Sequence, residues 1–203
     1  MSIKLLENLS YEITSGMVIS RVEAKEKSVI ERVYRKRVLT LRAISCGAID
    51  SDETDYIEIS KQIKQDKLTQ VGDIVIKMNK PYDSVFIDYA FEGYLIPSFC
   101  CIIKNTDYTI VDPYYLVGYL NSAFAKEYLI TANGSSAASL LKIKDIKKLP
   151  IPLPEMKEQK AIGEVFRICC ERQMILKNMM KHEMKLAENI ILDAAREVFN
   201  NDK

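Results

Sequence analysis

The chain has 203 residues, 48% of them hydrophobic and 28% charged, with 29 basic against 28 acidic side chains and a net charge of +1. That composition belongs to a folded domain with a sizeable core and excludes a disordered tail. No apolar run approaches the ~18 residues of a membrane span, and "MSIKLLENLSYEI" lacks the apolar core and cleavage site of a signal peptide, so a cytoplasmic location with no membrane partner is expected.

Charge is unevenly spread along the chain. Between Arg21 and Arg42 lie Arg21, Lys25, Lys27, Arg32, Arg35, Lys36, Arg37 and Arg42 against three acids, whereas "DSDETDYIE" (50–58) holds acids and no base. Such polarity suits one anion-facing surface, and solvated strand and loop edges produce it equally well. Within the basic stretch, "VYRKRVLTLRAIS" (33–45) is rich in β-branched and apolar residues and reads as one strand. "SKQIKQDKL" (60–68) reads as a short helix with Ser60 as its N-cap. "VGDIVIKMN" (71–79) is a turn followed by a mostly apolar strand expected at the centre of a sheet. "SVFIDYA" and "EGYLIPSFCCIIK" add strands interrupted at Gly93 and Pro97.

The period changes at "DPYYLVGYLNSAFAKEYLI" (112–130). Asp112 is a good N-cap, Pro113 a good first helical residue, and Leu116, Leu120 and Phe124 share one helical face. Asn133 and Gly134 tolerate the left-handed backbone that ends a helix. The basic cluster "KIKDIKK" (142–148) and then "LPIPLP" follow, and Glu155 and Glu158 favour a helix start just beyond. From there a seam of alternating four- and three-residue steps runs Ile162, Phe166, Cys169, Gln173, Leu176, Met180, Glu183, Ala187, Ile190, Ala194. Sustained spacing of this kind is a coiled-coil seam, and some 45 residues of helix are roughly 65 Å long. No other segment matches that length, so the tail is expected to pack on a second chain; folding back onto the domain, the alternative, would cover only part of the seam. The predicted fold is α+β, with short strands and one internal helix over residues 1–152 and a long coiled-coil helix over 153–203.

Catalytic constellations find little support. The five cysteines are Cys46 and two vicinal pairs, Cys100–Cys101 and Cys169–Cys170; adjacent thiols make neither a disulfide framework nor zinc-ligand spacing, and buried or half-buried thiols account for them. His182 is the single imidazole and sits among lysines in the long helix, so neither a metal site nor a nucleophilic triad is expected. "DPYY" (112–115) resembles the D-P-P-Y loop of amino-methyltransferases but lacks the second proline and opens a helix. No glycine-rich turn follows a strand to cradle a cofactor. "EAK" and "EMK" carry only the ending of a nuclease motif, and no aspartate precedes position 50. Binding remains. Basic residues interleaved with tyrosine, asparagine and serine supply phosphate contacts and groove-reaching donors, which singles out Arg21, Lys25, Arg35, Arg37, Lys77, Asn79, Lys80, Tyr82, Ser135 and Ser136.

The succession "GDIVIK" (72–77), "IPSFCCIIK" (96–104), "DPYYLVGYLNS" (112–122), "NGSS" (133–136) and "LPIPLPEMKEQKAIGEVF" (149–166) resembles the target-recognition half of a type I restriction–modification specificity subunit. Pro150, Pro152, Pro154, Glu158, Gln159 and Ile162 match the family's entry to its long helix. The resemblance covers about residues 68 to 200 and is weaker before. It implies a non-catalytic DNA-reading chain whose partners are double-stranded DNA, methyltransferase subunits and, where present, a restriction subunit. S-adenosylmethionine, ATP and Mg²⁺ are then expected only in those partner subunits, with no cofactor in this chain. A full subunit carries two recognition domains and two long helices packed antiparallel, whereas this sequence has one of each, as a natural half-subunit or a fragment would. A homodimer, or pairing with a second specificity half-subunit through Ile162, Phe166, Cys169, Leu176, Met180, Ala187, Ile190 and Ala194, would complete the pair. A regulatory coiled-coil protein that reads no site, or part of a methyltransferase or nuclease, stays open as an alternative.

Overall fold

Short apolar runs between turn residues favour strands over long helices in the first 110 positions, and the computed structural model describes residues 2–23, 34–59, 62–134 and 140–201, with side chains to 197. In chain order the strands are β1 (Ser2–Leu5), β2 (Ser10–Ser15), β3 (Tyr34–Val38), β4 (Ile44–Ser45), β5 (Ala48–Ile49), β6 (Asp55–Ile59), β7 (Ile74–Lys77), β8 (Ser84–Phe86), β9 (Cys100–Thr106) and β10 (Pro150–Leu153). The helices are α1 (Pro113–Asn121), α2 (Ala123–Ala132), α3 (Ile143–Lys147) and α4 (Met156–Asn201). The fold is mixed α+β, with the long helix following a strand-rich domain. It divides into two compact units, Met1–Arg167 and Ile168–Lys203.

In the first unit an antiparallel sheet is ordered β2-β9-β7-β8, and β1–β10, β3–β6 and β4–β5 form separate two-stranded ribbons. β7 takes the inner position expected of it, and all four of its residues are buried. Successive side chains on a strand point to opposite faces. Ile74 and Ile76 therefore join Cys101, Ile103, Leu116, Val117 and Leu120 in one core cluster, while Val75 meets Val85, Cys100, Ile102, Leu39 and Ile44 in another. The pleat thus separates the vicinal thiols of β9 to two faces. Burial pushes both up to about 12, so they act as small apolar fillers. All five cysteines are unbridged.

Several elements are shorter than their sequence patterns predict. The strand expected over 33–45 ends at Val38, because Thr40 turns the chain: its Oγ1 donates to the Glu53 carbonyl and accepts from the Ala43 N–H. Only a 3-10 turn, Gln65–Lys67, forms within the described part of the helix predicted over 60–68; Ser60 lies outside the described residues. Lys67 donates to the Ser15 carbonyl and Leu68 bridges to Leu95, so tertiary pairing overrides local helix propensity there. The helix predicted over 112–130 is two. Asp112 caps the first by accepting from the Tyr114 and Tyr115 N–H groups. Ser122 ends it and caps the second through Ala125 N–H, leaving Phe124 exposed while Leu116 and Leu120 are buried. Gly134, at φ +83°, follows the second helix as expected.

The junction "LPIPLPEMKEQKAIG" is held from both sides. β10 pairs antiparallel with β1, Ser2 opposite Leu153 and Leu5 opposite Pro150. Tyr115 Oη donates to the Pro152 carbonyl at 2.7 Å and Tyr119 Oη to the Pro150 carbonyl at 2.8 Å. Gln159 is buried; its Oε1 accepts from Asp112 N–H, and its Nε2 donates to the Pro154 and Ile110 carbonyls. One turn on, Gly163 lets α4 approach α1 so closely that an added Cβ would stand 2.4 Å from Asp112 Oδ1. Phe166 packs on the same core and against Gly118. Its half-buried ring is thus shared with α1, so this position is not left whole to an intermolecular seam. Ile162, on another face of the same turns, is exposed.

The second unit is the remainder of α4. Cys169, Leu176, Met180, Ala187, Ile190 and Ala194 are exposed, and so are Ile175, Met179, Met184, Leu186 and Ile191. No described helix is long and apolar enough to cross a membrane.

Candidate nucleic-acid interface

The β3–β6 ribbon places Arg35 opposite Glu58 and Arg37 opposite Tyr56. Directly paired residues share a face, so these four point one way. The alternate residues Val38, Ile57 and Ile59 join Leu68 and Leu95 in a third core cluster on the other. Hydrophobic burial of one face therefore dictates the exposure of the arginines on the other.

The outward face is ordered. Arg37 Nε donates to Tyr56 Oη at 2.5 Å and Nη1 donates to Tyr94 Oη at 2.6 Å. Its guanidinium carbon lies 5.2 Å from the Tyr56 ring centroid and 5.5 Å from that of Tyr94, and Arg35 lies 4.4 Å above Tyr56. The hydrogen bond to Tyr94, then that to Tyr56, raises the already high pKa of Arg37. Tyr94 is 4% exposed and braced by Phe91, whereas Tyr56 is 42% exposed. Two phenols, one rooted in the core, thus fix a guanidinium at the surface. Neither tyrosine stands out in sequence. Tyr56 lies in the acidic run and Tyr94 belongs to a different segment, and only the register of β3 against β6, with the bridge from Val38 to Leu95, brings them together.

The turn after β7 behaves differently. Lys77 is buried, with Nζ 3.2 Å from Asp83 Oδ2, while Lys126 Nζ lies 2.8 Å from Asp83 Oδ1. Burial works to raise the Asp83 pKa, but Lys126 and Lys77 together outweigh it and hold the carboxyl below its ordinary value. Tyr82 is 3% exposed and belongs to the core beside α1. Lys77 and Tyr82 are therefore corrected from groove-reaching groups to parts of the fold. Asn79 is half-buried, its Oδ1 enclosed without a hydrogen-bond donor among the described residues, and Lys80 is exposed. Leu141 N–H donates to the Met78 carbonyl, and Asn133 Nδ2 to the Leu140 carbonyl. The two ends of the 133–140 loop thus lie beside this turn. Ser135, Ser136 and Lys25 lie outside the described residues. Arg21 ends an exposed 3-10 turn, and Glu23 just beyond it bridges to Ile59 of the ribbon. The structure thus gathers Arg35 and Arg37 on one ribbon face, and the Asn79–Lys80 turn rests on a different core cluster.

Among the described residues no group of three or more His, Cys, Asp or Glu side chains is placed to hold a metal ion. The Type I restriction modification DNA specificity domain family matches residues 36–183, from Lys36 in β3 into the second unit. The chain belongs to that family. Two solved structures share the fold of this specificity domain. One is a chain from a study of complex assembly and conformational transition in a type I R-M system. It has a TM-score of 0.62 and 15% identity, over 97% of this chain and 49% of that one. The other is the HsdS subunit from Thermoanaerobacter tengcongensis, with a TM-score of 0.61 and 15% identity, over 93% of this chain and 47% of that one. The specificity domain chain thus spans about half the length of the solved relatives. No curated protein matches its sequence.

Proposed function

We propose that this chain is a non-catalytic specificity component that reads one half of a bipartite DNA site and docks the catalytic subunits of a type I restriction–modification system. Membership of the DNA specificity domain family over residues 36–183 carries the reading. The solvent-facing Arg35–Arg37 ribbon supports it, because neutralising phosphates supplies sequence-blind affinity and fixed donors supply discrimination. Methyl transfer with S-adenosylmethionine, and ATP- and Mg²⁺-dependent restriction, would reside in the partner subunits.

The second half-site would be read by a second copy of the chain or by another specificity half-subunit. At 100° per residue, Ile168, Ile175, Leu176, Met179, Met180, Met184, Leu186, Ile190 and Ile191, all exposed, spread over roughly half the helix circumference. A two-stranded coiled coil uses a narrower stripe. The width suits two helical neighbours, one from the paired copy and one from a methyltransferase subunit. An antiparallel, two-fold pair would make the target a palindrome interrupted by a spacer.

Selection of bound duplexes from a randomised library by the full chain, with the subunits that co-purify with it, tests this reading. The expected result is a bipartite motif, with affinity that falls steeply as salt rises. The apolar stripe alone would equally serve an interaction protein that reads no site. A stable complex that enriches no motif would decide for that alternative.

A further inference from the structure

Resting on the DNA-reading role above, we propose that the outward face of the β3–β6 ribbon enters the major groove and that Arg37, positioned by Tyr56 and Tyr94, reads a guanine there. A major groove admits a two-stranded β-ribbon, and guanine offers O6 and N7 as adjacent acceptors. A guanidinium has five N–H groups, and the two phenol oxygens of Tyr56 and Tyr94 take one from Nε and one from Nη1. Among the described residues these are the side-chain hydrogen bonds of Arg37, which leaves the Nη2 hydrogens and the second one on Nη1 for a ligand.

The companion side chain separates base reading from a phosphate clamp. A guanidinium locked in one plane can hold either a phosphate or a guanine edge bidentately, so the decision falls to what stands beside it. Arg37 is locked before any ligand arrives, which lowers the ordering cost of binding. The same face also carries Glu58, opposite Arg35 and exposed. A carboxylate repels phosphate, but it accepts from the amino group of cytosine. A face that mixes fixed donors with an acceptor matches base edges and not a uniform anion. Tyr56 and Tyr94 are positioning residues in this scheme; Arg37 makes the contact.

The test compares wild type, Arg37→Lys and Tyr56→Phe as full chains with their co-purifying subunits. It uses selection from randomised duplexes, anisotropy titrations across salt, and thermal melting. Arg37→Lys is expected to melt as wild type and to lose preference for guanine at one position of the half-site by about 5- to 150-fold, with other positions and the salt slope retained. Tyr56→Phe keeps the ring but removes the Nε–H acceptor, so it should weaken discrimination partially at that same position. An unchanged motif in Arg37→Lys overturns the proposal and leaves the DNA-reading role standing. An equal loss on all sequences makes Arg37 a phosphate contact and also overturns it. Absence of any motif for wild type overturns both.

Discussion

Asp73 and Asp83 sit in the same sheet region, but their surroundings drive them in opposite directions. Lys104, with its side chain 4% exposed, contacts Asp73 Oδ2 and also donates to the Leu68 carbonyl. Burial pushes the Asp73 carboxyl above its ordinary value, and the hydrogen bonds from Lys104 and the Gln70 N–H only partly offset this. Removing one partner of a buried pair strands the other charge, at a cost of about 3–5 kcal/mol. Lys104→Met should therefore lower the urea midpoint markedly, and adding Asp73→Asn should recover most of the loss. The pH dependence follows from the sign of the shift. A carboxyl with a raised folded pKa binds its proton more readily when folded, so stability from this site rises as pH falls through that value. The Lys104→Met defect should be smaller near pH 4 than at pH 7, and an equal defect at both would show that Asp73 is not the stranded charge. Asp83, held below the ordinary 3.8, contributes stability that is present above that value and lost as pH falls below it. Lys77 illustrates what sequence leaves out at this scale. A lysine at the end of an apolar strand reads as a surface charge, and its ion pair with Asp83 across the following turn accounts for its burial.

Elements were legible where the determinant is local and obscure where it is a neighbour. The apolar run of β7, the Asp112–Pro113 cap and the prolines ahead of α4 follow from local chemistry. The break at Ser122, the pairing of β1 with β10 and the Arg–Tyr ribbon depend on partners distant in sequence. The start of α4 joins both kinds. Its Gln159 reads as a polar residue in a helical first turn, but the side chain is a buried staple between the two helix beginnings. Gly163 gives the decisive test. In an exposed helix interior, Gly→Ala gains about 1 kcal/mol. Here the new Cβ would meet Asp112 Oδ1 at 2.4 Å and the Tyr115 backbone N at 2.7 Å. Backbone cannot swing away, and overpacking typically costs about 1–3 kcal/mol, so packing outweighs propensity. Gly163→Ala should be destabilising by chemical denaturation, with loss of protection at the Tyr114 and Tyr115 amides in hydrogen exchange. A gain in stability would show that α4 does not seat on α1 as described.

At the scale of the whole molecule the outstanding feature is apolar surface on the second unit. Large exposed apolar patches mark interaction surfaces, and Ile175, Leu176, Met179, Met180, Leu186 and Ile190 are each more than half exposed. Burying such side chains is worth roughly 1–2 kcal/mol each, so six from each of two chains supply about 12–24 kcal/mol gross. Association costs about 4–15 kcal/mol, which makes a stable pair of copies energetically reasonable. Two-fold symmetry would place every substitution in the interface twice. Leu176→Glu replaces an apolar contact by a charge in each copy. At about 2 kcal/mol or more per chain, it should weaken the dimer roughly a thousand-fold. Sedimentation equilibrium over a concentration series distinguishes the outcomes. Wild type should weigh as a dimer at micromolar concentration and Leu176→Glu as a monomer, with the first unit's thermal transition unchanged. A wild-type monomer at high micromolar concentration would instead assign the apolar stripe entirely to a different chain.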